Sequence, residues 1–302
     1  MSKSLSYIAS WLWRLVVAGA VHAVGMISGG ILAGLLRLEL PQLPEAGDPT
    51  VAALLLLPGG MAIALGLAAM ATGLAGRPWQ RWAILAGFAF VVNGVGTVIE
   101  TTAFTTIGGG AAATLANLPA SVLCALVVVW LFPAPRDVSA TRPARTVFAP
   151  FGTGALAVRL FLALLAFPAL YLVFGIMIAP IVLPYYEQLD FVFVPPMSIL
   201  LLVLLVRSTL FLLVSIPVIA FWCRSRGRLA VALGVGHFTA VGLSGLIQVT
   251  VFPTVVRWTH GVEILATSAC YGLALAWLLF APPPATADGR AGRHPRLAQG
   301  DS

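Results

Sequence analysis

The sequence predicts an all-α, polytopic membrane protein with eight transmembrane helices arranged as two parallel four-helix repeats. Three observations lead to that fold class. The 302-residue chain is 60% hydrophobic and only 9% charged, too little polar surface to coat a soluble globule of that length. Its apolar residues gather in eight runs of roughly 20 residues or more, the length that crosses a hydrocarbon layer as a helix. The stretch from Trp82 to Thr106 also returns 148 positions later. Phe90, Gly94, Ile99, Thr102, Phe104 and Thr106 reappear as Phe238, Gly242, Ile247, Thr250, Phe252 and Thr254, with Glu100 opposite Gln248.

The runs cover 8–36, 51–74, 82–104, 112–133, 153–183, 191–222, 229–252 and 260–281. The first opens on a basic segment and contains Val21-His22-Ala23, a small-residue pattern suited to signal peptidase. The run continues to Leu36, which predicts a retained helix. The first, fifth and sixth runs are long enough to tilt or to project beyond the hydrocarbon, and Pro168 with Pro180 predicts a kink in the fifth. Residues 1–135 form the first four-helix unit and 151–283 the second. Between them, 136–150 is a Pro-, Ala- and Arg-rich cytoplasmic linker, and the polar tail 284–302 reads as disordered.

A net charge of +7 and a pI near 10.0 would suit nucleic-acid binding if the basic residues shared one polar domain. They lie instead in short connections: Lys3 and Arg14, Arg77 and Arg81, Arg136 to Arg145, Arg224 to Arg228, and Arg290 to Arg296. With eight spans these all fall on one side, which the positive-inside bias makes cytoplasmic, with both termini there. The opposite connections carry Glu39, Glu45, Asp48, Glu187 and Asp190, and only Arg37 and Arg257 are basic. The expected setting is the plasma membrane, the expected partner is the lipid bilayer, and no nucleic acid is expected.

The self-similarity extends to Leu131, Phe132 and Pro135 against Leu279, Phe280 and Pro283. Near the start of each half the offset is 145, pairing Arg14-Leu15 with Arg159-Leu160. Four spans per unit is an even number, so both units enter the membrane in the same sense.

Arg207 is the most costly residue, because it sits near the middle of an apolar run, where insertion costs about 2.5–3.5 kcal/mol before compensation. Its helical neighbours offer no acid, so the partner comes from another helix, and Glu100 is the expected one. Asn93 lies seven residues from Glu100, about two turns, and should share its face with Gly96 and Thr97. Gln248, with Ser244 and His237, occupies the corresponding face of the seventh span. Pro58-Gly59-Gly60 interrupts the second run at the position that the repeat offset sets against Arg207, and a break there would free backbone groups to line a site. Arg207, Glu100, Asn93, Gln248 and His237 are therefore the candidate solute-binding or pathway residues. A purely structural ion pair and simple helix packing are the competing readings.

His260 and Glu263, three apart at the start of the last run, are weak candidate metal ligands, since two are too few. Glu263 in a first turn would also be favoured by the helix dipole alone. His22 and His237 at mid-depth raise axial haem ligation. The duplicated four-helix layout is similar in outline to haem A synthase, but that family's repeated paired histidines are absent, so no cofactor is expected. Gly25-x-x-x-Gly29 and Gly30-x-x-x-Gly34 permit close helix contact. Gly108-Gly109-Gly110 lacks a following Lys and is a loop, not a phosphate cradle. These features favour a transporter or channel for a small polar or anionic solute. A membrane-embedded enzyme using Glu100, His260 and Glu263, or an accessory subunit without chemistry, are the alternatives.

Overall fold

The computed structural model describes residues 3–42, 49–134 and 147–281. Eight helices in it are long and apolar enough to cross a membrane: α1 (Lys3–Leu35), α2 (Pro49–Ala71), α3 (Pro78–Phe104), α4 (Gly110–Leu131), α5 (Thr153–Tyr186), α6 (Met197–Ala220), α7 (Arg226–Gln248) and α8 (Thr254–Leu279). Helices dominate because a lipid solvent offers no partner for free backbone N–H and C=O groups. Among the described residues there is no strand, only two isolated bridges. The eight apolar helices mark a multi-pass membrane protein. Glu45, Asp48, the linker over 136–146 and the tail over 284–302 lie outside the described residues.

Helix α1 packs on α4 and α2, and α3 packs on α4, while α8 packs on α7 and α5, and α5 packs on α6. The two groups of four meet where α2 lies against α7 and α3 against α6. Close contacts rest on small residues, as expected where apolar burial gives no net drive between helices. A β-carbon added at Gly29 would lie 2.6 Å from Ala116 Cα, and one at Gly272 would overlap the backbone of Gly234. Only the first glycine pair of α1 is used in this way, because Gly30 and Gly34 face open space.

Two expectations for helix shape need correction. The Pro58-Gly59-Gly60 segment does not break α2, which is continuous from Pro49 to Ala71. The irregular backbone lies in α3 and α7, where the hydrogen bonding widens to π-helix over Phe90–Val95 and Thr239–Leu243. In addition α8 starts at Thr254 rather than near 260, with Pro253 preceding its first turn. Arg257 and Trp258 therefore belong to the helix, and Arg257 Nε donates to Leu246 O at 2.9 Å, near the end of α7.

At the end carrying Arg77 and Arg224, the turns after α2 and α6 exchange backbone hydrogen bonds. Ala75 N–H donates to Phe221 O at 2.9 Å and Cys223 N–H to Gly73 O at 3.0 Å, around the bridge Leu74–Trp222. Arginines satisfy carbonyls that helix ends leave without intrahelical partners. Arg81 Nη2 donates to Ala71 O at 2.9 Å and Phe132 O at 2.7 Å, and Arg226 Nη2 donates to Phe280 O at 2.9 Å. At the far end, Thr106 N–H donates to Phe191 O and Phe193 N–H to Phe104 O, both at 3.0 Å. That clamp ties the end of α3 to the loop before α6 and so sets the helix carrying Glu100 beside the helix carrying Arg207.

Candidate functional site

Arg207 stands ten residues into α6, about 15 Å from its start, and is 1% exposed. Its Nη2 lies 2.8 Å from Glu100 Oε2, and the Glu100 side chain is 35% exposed. The two helices come close because Gly96, one turn before Glu100, leaves room for the Phe211 ring of α6. The guanidinium carbon sits 5.6 Å from the Phe167 ring centroid and 5.4 Å from that of Phe211, a cation–π setting that partly offsets its desolvation. Its Nε and Nη1 have no acceptor. Glu100 thus engages one of the three guanidinium nitrogens, from the more open side.

Asn93 does not share this face. Its Nδ2 donates to Asn117 Oδ1 at 2.7 Å, on α4, because the π-helical stretch changes the phase between Asn93 and Glu100. A π turn carries one residue more than an α turn, so side chains beyond it are rotated by about 100° from a straight projection.

Gln248 sits at the other contact between the halves. Its Nε2 donates to Ser244 Oγ at 3.0 Å, and its side chain fills the space that a β-carbon on Gly59 would need. Residues 59 and 207 differ by the same 148 positions as Glu100 and Gln248. Where α6 and α3 join through a charged pair, α2 and α7 therefore join through a glycine and a neutral amide.

His237, 1% exposed, has its ring centroid within 5.0–5.3 Å of those of Phe88, Tyr271 and Phe211, and its Nε2 is hydrogen-bonded to Ser215 Oγ at 3.1 Å. Phe211 connects this cage to Arg207. The His237 ring is enclosed by these protein groups. His22 lies on α1 against Gly60 of α2.

The pair His260 and Glu263 is tied to α5 as well as to its own helix. Glu263 stands in the third turn of α8, only 5% exposed, and not in a first turn where the helix dipole would account for it. Its Oε2 is 3.6 Å from His260 Nδ1, and its Oε1 accepts from Thr267 Oγ1 at 3.2 Å. His260 Nε2 is hydrogen-bonded to the Tyr186 hydroxyl at the end of α5. Tyr186 lies in the electrostatic field of both Glu100 and Glu263, and Tyr171 in that of Glu100, Arg207 and Glu263. Tyr186, His260, Glu263 and Thr267 thus form one polar chain between α5 and α8.

Tyr171, Tyr186, Thr267 and Asn117 were missed by sequence reasoning. Tyr171 and Tyr186 are 15 residues apart on α5, within about 60° of one face at 100° per residue, and that spacing could have linked them. No group of three or more His, Cys, Asp or Glu able to hold a metal ion occurs among the described residues. An open apolar groove between α5 and α6, lined by Leu160, Leu164, Thr209 and Leu212, carries none of these charged groups. The chain matches no protein-family model, no curated protein and no solved structure.

Proposed function

We propose that this protein is a plasma-membrane transporter or channel that binds a small anionic solute at Arg207, with Glu100 as the resident counter-ion. The carrying observation is a guanidinium 1% exposed whose Nε and Nη1 lack acceptors while its partner carboxylate is 35% exposed. A carboxylate or phosphate accepts from Arg in a two-pronged geometry that a monodentate Glu100 leaves unused. The contact of Gly59 with Gln248 supports the reading further, because the contact between α2 and α7 at the offset-related positions is made without charge. The ion pair is then not required merely to hold helices at that level.

The proposal includes two parallel four-helix repeats with both termini cytoplasmic. The reciprocal hydrogen bonds at Leu74 and Trp222, and the π-helical stretches in α3 and α7, fall at positions related by the repeat offset and support that arrangement. The charge bias of the connections supports the orientation. Reporter fusions after Thr106, Gln188 and Val251 should all report the outer side, and one cytoplasmic signal would remove a span.

The solute reading is tested by uptake of labelled acetate, succinate and inorganic phosphate into proteoliposomes. One of them should accumulate, and Arg207→Leu with Glu100→Gln should reduce that uptake by about 10- to 100-fold, the equivalent of one charge-assisted contact. Undiminished uptake by that double variant would reject the site. A second reading, a membrane-embedded enzyme, is favoured by one observation: the Tyr186–His260–Glu263 chain has the order of a general acid–base relay. Stoichiometric zinc or iron in the purified protein would move the assignment there.

A further inference from the structure

We infer that anion binding at Arg207 takes up a proton as well, with Glu100 as the acceptor. The inference rests on the reading of Arg207 as an anion site and names the ion that accompanies the solute. Its first ground is charge. Arg207 and Glu100 cancel each other at 2.8 Å. A singly charged solute anion entering beside them would set two negative charges against one guanidinium. Like charges in a low-dielectric interior repel strongly, and one of them is relieved by protonation.

If Glu100 binds a proton, an O–H bond forms on its carboxylate, its contact with Nη2 is released, and the solute takes over the guanidinium. For a singly charged solute the net charge of the pair plus solute is then zero, as it was for the pair alone. Nothing is oxidised or reduced, and the only covalent change is a proton passing from water to a carboxylate.

The second ground is access. The Glu100 side chain is 35% exposed and that of Arg207 1%, so the carboxylate is the more open member of the pair. The charged group facing Glu100 is Arg207 from α6. Tyr186, His260 and Glu263 engage one another. Arg257 on α8 is turned to the Leu246 carbonyl, and His237 of α7 is turned to Ser215.

The test is calorimetric titration of the purified full chain with acetate, succinate and inorganic phosphate. Each is added as sodium and as potassium salt, in buffers of different ionisation enthalpy at one pH. An anion bound in its singly charged form should bring one proton with it, independently of the alkali cation. Glu100→Gln should bind the same anion more tightly and without proton uptake, because the competing carboxylate and the acceptor are both gone.

Anion binding by wild type with no proton, or with sodium in its place, overturns the inference and leaves the anion site standing. Full proton uptake by Glu100→Gln overturns the choice of acceptor. No binding of any probe to wild type or variant overturns the anion site and this inference together. The wild-type buffer series stands even if Glu100→Gln folds poorly.

Discussion

Glu100→Gln alone is expected to lower thermal stability in detergent by about 2–3 kcal/mol and to reduce the protein recovered from membranes several-fold. The double variant Glu100→Gln with Arg207→Leu should restore both. Removing one member of a buried pair leaves the other charge desolvated, which costs about 3–5 kcal/mol when both are fully buried, whereas replacing the whole pair by apolar groups is often neutral. The smaller figure is used here because Glu100 is 35% exposed and some of its loss is relieved by solvent. The α2–α7 contact supports recovery of the double variant, since Gly59 and Gln248 join those helices with no charge. Melting followed by size-exclusion fluorescence gives the answer directly. A Glu100→Gln protein as stable as wild type would mean that the Arg207 guanidinium is compensated by something other than this carboxylate.

Gly25→Leu should abolish folding, while Gly30→Leu on the same helix should be nearly silent. A β-carbon at Gly25 would overlap Ala120 Cα, with Ala120 N 2.7 Å and Pro119 C 3.0 Å away, and these backbone atoms cannot swing aside. Overpacking of a tight interface costs about 1–3 kcal/mol for extra methylenes that side chains can absorb. Here the obstacle is the facing helix itself, so α1 and α4 must separate. Gly30 has nothing within 4 Å, and its substitution should stay within about 0.5 kcal/mol of wild type. The monodisperse fraction after solubilisation distinguishes the two. Equal losses at both positions would mean that Gly30 is covered by another chain.

The parts of this fold legible in the sequence are those with a thermodynamic cost that local residues cannot meet. Runs of about 20 apolar residues must bury their backbone groups in helices, and a mid-helix Arg207 must find an acid elsewhere. The parts that stayed hidden carry no such cost. The segment Phe-Val-Val-Asn-Gly-Val over 90–95 looks like any apolar helix, and nothing in its side chains announces the π-helical backbone. Tyr186 resembles an ordinary interfacial aromatic, which hid its bond to His260. The polar look of Arg257 and Trp258 concealed the first turns of α8, and the same error put Glu263 at a helix start. Proline and glycine misled in the opposite sense at 58–60, where α2 runs on unbroken.

The π-helical stretch of α3 makes the aim of Glu100 a matter of counting rather than of composition. The outer part of that helix is carried on one surplus residue between Ala89 and Gly96, and a substitution there leaves the surplus in place. A deletion of one residue would remove it, keep the helix apolar and long enough to cross a bilayer, and turn every side chain beyond by about 100°. Glu100 would then leave Arg207 although neither residue had changed. For this helix the spacing between two positions is itself under constraint, and changes of length are more damaging than changes of identity.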